Sequence, residues 1–147
     1  MKWIWLWPPY WGAGIRVHSY TLPLNNIVIK MPLKLRNKNL VGTHFGGNLF
    51  SMCDPWYMFI LMNALGSDYV VWDYAAQIHF VKPGTGTVSA QFSISEEQIR
   101  QIEQEARHGE KIFPKFQTEV IDEAGQVIAK LDKTLYVRRK KSSSSLS

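Results

Sequence analysis

Asn48-Leu49-Phe50-Ser51-Met52-Cys53-Asp54-Pro55-Trp56-Tyr57-Met58-Phe59-Ile60-Leu61-Met62-Asn63-Ala64-Leu65 is apolar on nearly every side and carries a single carboxylate, Asp54. A helix without a polar stripe is buried all round. As one helix these 18 residues would span about 27 Å, the width of a small domain. The segments on either side alternate with a period of two, as strands do. One long helix buried among antiparallel strands predicts an α+β fold in which the sheet wraps the helix.

Ile27, Ile29, Met31, Leu33 and Leu35 alternate with Val28, Lys30, Pro32 and Lys34, a strand with one buried face. Pro32 on its polar side suggests an edge position or a bulge. Val88, Ala90, Phe92 and Ile94 repeat the pattern, as do Val127, Ala129, Leu131, Leu135 and Val137, where Lys133 breaks the apolar face. A turn at Asp122 to Gly125 joins that last strand to one over 111–121. Less regular strands are expected over 15–22 and 74–82, the latter leaving through Pro83-Gly84-Thr85-Gly86. Between strands, Ser95 and Gln98 form a capping box, and Ile94 with Ile99 a hydrophobic staple. Glu96 and Glu97 suit the first turn of that helix, Arg107 and His108 the last, and Gly109 stops it. Its few apolar residues make it a surface connector.

At 147 residues the chain is one domain by default, over 1–141, burying roughly 70% of its unfolded surface. An apolar share of 46% excludes disorder for most of it. Of the net charge of +5, Arg138 to Lys141 supply four, leaving 13 basic against 12 acidic residues elsewhere. No electrostatic footprint for nucleic acid remains. That basic run and the Ser-rich stretch 142–147 are read as a solvated, flexible tail. The lone cysteine, Cys53, permits no internal disulfide and fits a reducing compartment; among Met52, Phe50 and Met58 it reads as a small buried hydrophobe. Lys2-Trp3-Ile4-Trp5-Leu6-Trp7 is cut short by Pro8-Pro9, too soon for a secretory core. The aromatic segment 1–13 is expected to form a short helix packed on the domain, with membrane-surface contact as the alternative. No run reaches a transmembrane length, so no stable membrane insertion and a cytoplasmic location are expected. The four histidines are scattered and form no metal set.

Ahead of the apolar helix stands Asn39-Leu40-Val41-Gly42-Thr43-His44-Phe45-Gly46-Gly47, six residues before Asp54. Glycines at a helix start let a ligand approach free backbone amides backed by the positive end of a dipole. The spacing Asn39-x-x-Gly42-x-x-x-Gly46-Gly47-x6-Asp54, with Ile78-His79-Phe80-Val81-Lys82-Pro83 beyond it, closely resembles the PaaI-like acyl-CoA thioesterases of the hotdog fold. The phrase Gly42-Thr43-His44-Phe45-Gly46-Gly47 and the aromatic N-terminus resemble a branch called tetrameric acyl-CoA thioesterases. The likeness covers about 15–140. It departs where the motif histidine before the glycine pair is Phe45 here, with the histidine at His44.

The resemblance implies hydrolysis of an acyl-CoA or related thioester without metal or redox cofactor. It implies a homodimer, with a dimer of dimers as the larger assembly, in which one subunit's glycine amides face the other's aspartate. Asp54 would be base or nucleophile, Gly47, with Asn48, would hold the developing oxyanion, and Gly46 would help bind the substrate. Asn39 would orient water or substrate, and His44, Phe45 and Ser51 would line the site. Lys82 would meet CoA phosphates. Each has a plainer reading. Asp54-Pro55 suits an N-cap with proline at the first helical position, which would start the helix at Pro55. Asn39 suits a turn, His44 a loop backbone partner, and Ser51 a hydroxyl returned to the helix. His79 reads as exposed and Asp73 as a strand-start residue. The rival functions are a non-catalytic acyl-ligand or protein-binding hotdog module, a hotdog dehydratase and a nucleic-acid binder.

Overall fold

A computed structural model of the chain describes residues 7–141. Its elements run α1 (Pro8–Ala13), β1 (Arg16–Tyr20), β2 (Asn26–Pro32), α2 (Gly46–Ser51), α3 (Trp56–Leu65), β3 (Tyr69–Phe80), β4 (Thr87–Ser93), α4 (Glu96–Glu105), β5 (Lys115–Ile121) and β6 (Val127–Arg139). The six strands form one antiparallel sheet in the order β1-β2-β4-β5-β6-β3. Its inner face and α3 share the core: Trp56 and Tyr57 pack on Phe92 of β4, and Tyr57 stacks on Phe116 of β5 at 4.8 Å. This is the hotdog arrangement.

The central helix comes in two pieces rather than one of 18 residues. Pro55 has no N–H to return to Ser51, so the helix breaks after α2 and restarts at Trp56. The carbonyls at the break gain side-chain donors, Ser51 O in addition to the Asp54 amide at 3.3 Å. The Tyr10 hydroxyl donates to Ser51 O at 3.2 Å, and the Trp56 indole donates to Met52 O at 2.6 Å. Asp54 sits in the break and caps nothing; the residue before α3 is Pro55, without a side-chain cap. Nor is the segment buried on every side, since Met62 to Ala64 face solvent.

Tyr10 lies on α1, which starts at Pro8 and ends at Gly14 in the left-handed region (φ 75°). The tryptophans before Trp7 and the serine run lie outside the described residues. Pro32 ends a strand that is internal to the sheet but open on one side at this point: β1 stops opposite Lys30, and the Leu33 amide bonds Gly86 O on the β4 side. Alternation then turns the Pro32 nitrogen to the side where no strand runs. Around α4 the capping box is complete, at 3.1 and 3.0 Å. The helix ends at Glu105, before Arg107 and His108. Arg138 and Arg139 continue β6, paired with Val70 and Tyr69, and are no tail.

Candidate active site

Lys133 decides the chemistry of the inner face. It stands opposite Phe116 of β5 and Ala76 of β3, inside an apolar row that includes Leu131 and Leu135. Its side chain is 1% exposed. An isolated buried ammonium is too costly to persist, so it must be neutralised. Its Nζ donates to Asp54 Oδ1 at 2.9 Å and lies 2.9 Å from Asp73 Oδ1. The second contact has the distance but not the angle of a hydrogen bond, and Asp73 Oδ1 has no donor among the described residues.

Backbone geometry brings the two acids there. The break after α2 turns Asp54 toward the sheet, where it stays 46% exposed. A register shift between Asp73 and Ala75 in β3 leaves Tyr74 as an extra residue. Asp73 therefore faces inward opposite Leu135, diagonally across from Lys133 and 27% exposed. Burial pushes its carboxyl above the usual range, Asp54 adds to this, and Lys133 opposes it. Cys53 is fully buried, its thiol pushed up to about 12 by burial, so it is an inert core residue. Sequence reasoning set Asp73 aside and noted Lys133 only as a break in a pattern. The usable signal was that break: a lysine in an apolar row needs an acid.

A second group surrounds the glycine pair. α2 begins at Gly46 after Phe45, and the first backbone bonds to Phe45 O come from Asn48 and Leu49. The Asn48 amide is therefore used, while those of Gly46 and Gly47 have no backbone acceptor among the described residues. The Phe80 ring lies over Gly46, and the exposed Phe45 ring lies over Gly47. Asn39 spends its side chain on its own loop, accepting from Val41 and Thr43 amides and donating to Thr43 Oγ1. His44 is buried, with Nε2 2.9 Å from Gly86 O and Nδ1 without a partner. Desolvation lowers its pKa, so the ring is neutral and Nε2 carries the proton. Asn48 donates to Asn37 O at 3.4 Å, and Ser51 returns its hydroxyl to Gly47 O at 2.8 Å. Lys82 pairs with Asp122 at 3.6 Å, two residues past the Phe80 that covers Gly46. His79 is exposed beside Gln77.

The two groups occupy opposite ends of α2. Six residues lie between Gly47 and Asp54, roughly 10 Å along a helical path.

A family model described as a domain of unknown function, DUF4442, matches residues 2–137. The chain belongs to this family. No curated protein matches it. Among solved structures, it is similar to a Pseudomonas aeruginosa protein of unknown function described as a probable thioesterase. That likeness is at 22% identity and TM-score 0.78, covering 89% of this chain and 87% of that one. It is also similar to a protein of unknown function from Chlorobaculum tepidum, at 13% identity and TM-score 0.75, covering 95% and 91%. A Haemophilus influenzae protein described as a thioesterase follows at 14% identity and TM-score 0.64, covering 91% and 85%. At these identities the likeness establishes the hotdog fold. No helix of the described residues is long and apolar enough to cross a membrane.

Proposed function

We propose that the protein is a thioesterase that hydrolyses an acyl-CoA or a related acyl thioester in a site shared by two copies of the chain. The observation that carries this reading is Asp54, a half-exposed carboxylate held by a buried lysine at a helix break. Its hydrogen bond to Lys133 fixes one oxygen and leaves the other for a water. Asp54 takes a proton from that water as its oxygen attacks the thioester carbonyl. The oxyanion accepts from the unused Gly47 amide of the second copy. The intermediate collapses, the C–S bond breaks, and the thiolate takes the proton back from Asp54. Attack by Asp54 itself, through a mixed anhydride, is the other route such a carboxylate allows. Lys82, two residues past the Phe80 that lies over Gly46, would exchange its contact with Asp122 for the phosphates of CoA.

The long edge strand β3 supports the shared site. It exposes Trp72, Tyr74 and Phe80, and an unprotected apolar edge invites a second strand. Pairing β3 with its copy would extend the sheet and set the two sites on the dimer axis. The stack of Trp72 on Tyr136 at 4.2 Å, with Phe113 beside it, leaves an aromatic outer face where two such dimers could meet.

One observation favours a non-catalytic acyl-binding module instead: the Phe45 ring occupies the approach to Gly47. A panel of acyl-CoA esters assayed for thiol release separates the two. Release from at least one ester supports the hydrolase; binding of esters without release supports the module. Light scattering that gives a monomer at micromolar concentration would sink the shared site.

A further inference from the structure

One carboxylate suffices to neutralise Lys133, yet two stand against it. Lys115 and Asp132 line the hollow beside it, but only the two aspartates come within ion-pair distance of its ammonium among the described residues. Opposite it across the strands are Phe116 and Ala76. Cys53 and Tyr10, near the two acids, are both pushed up by burial and stay neutral. The cluster thus carries one buried positive charge against two partly exposed carboxylates, one more than neutrality needs. A carboxylate paired alone with a buried ammonium becomes strongly acidic, and a strongly acidic group is a poor base.

We infer that Asp73 is a positioning residue of the site, dividing the Lys133 ammonium with Asp54 and so keeping Asp54 basic enough to accept a proton from water. This rests on the reading of Asp54 as the base. The geometry suits the role. Asp73 approaches the same Nζ as closely as Asp54 does but without hydrogen-bond alignment. It acts through charge while Asp54 keeps the directed bond. The bulge at Tyr74 is the local feature that turns Asp73 inward. Like charges near one another raise each other's affinity for a proton, and Asp54 is one of the groups that push the Asp73 carboxyl up.

The test follows the side-chain carboxyl carbon of Asp54 by NMR across pH, in the wild type and in Asp73→Asn. Removing the competing charge hands the whole ammonium to Asp54, so its titration midpoint falls by about one pH unit, tenfold in proton affinity. The acid limb of kcat/KM for a thioester moves the same way. Asp73→Glu restores the charge and returns the midpoint toward that of the wild type. Asp73→Ser, also uncharged, reads the same quantity if the amide variant does not fold. A midpoint that stays put, or rises, overturns the inference. If the wild type releases no thiol, the proposed hydrolysis fails, while the titration still decides whether the charge is shared.

Discussion

Lys133 Nζ donates to Asp54 Oδ1 across 2.9 Å, tying strand β6 to the break between α2 and α3. The bond spans 79 residues of chain. It turns the one carboxylate of the central helical segment into an oriented group, and it explains why a lysine is tolerated in an apolar row.

Asp54→Asn is expected to lower thiol release by roughly 100-fold or more, because the amide keeps the shape but cannot take a proton. Stability should change little, since Asp54 caps no helix and is partly solvated. Turnover within threefold of wild type on a good substrate would remove Asp54 from the mechanism.

Lys133→Met leaves Asp54 and Asp73 without a counter-charge. At pH 7 the variant should lose about 1–3 kcal/mol, less than for a fully enclosed pair because both acids reach solvent. Burial already raises the Asp73 carboxyl and Lys133 opposes that, so without the ammonium it titrates higher still in the folded state than in the unfolded one. A group raised in this way favours folding below its unfolded pKa and loses that contribution as pH rises through the folded value. The deficit should therefore shrink from pH 7 toward pH 4. Urea unfolding at the two pH values measures it, and a constant deficit would mean the lysine is held by packing alone.

His44 gives a separate acid sensitivity. Desolvation lowers its pKa from 6.5 in the folded chain, so the unfolded state binds the proton first. Its contribution to stability is complete above pH 6.5 and is lost as pH falls below that value toward the folded pKa. His44→Gln should be destabilised at pH 7.5, with the gap to wild type narrower at pH 5.5. A gap equally wide at both would show that the ring is not buried neutral.

Ser95→Ala removes the hydroxyl that accepts from Gln98 N at 3.1 Å and half of a complete capping box. A loss of about 1 kcal/mol is expected, without change in thiol release. Equal urea midpoints for variant and wild type would place the start of α4 elsewhere.

The strand periods, the cap of α4, the turn at Asp122 and the order of elements are properties of residues within a few positions of one another. They could be read directly from the sequence, and so could the glycine pair and Asp54 as the residues to watch. Even the helix break had its cause in view, in Pro55. Lys133 was visible as well, though only as a break in an apolar row; that a buried charge there needs a partner is general physics. Which partner depends on sheet order and register. β3 must lie beside β6, with one extra residue at Tyr74, for Asp73 to face inward. The helix must break where it does for Asp54 to meet the same ammonium. Long-range pairing of this kind follows from how whole strands stack and from the cost of an unpaired buried charge. Local pattern set the elements; only tertiary packing decided that two acids share one lysine.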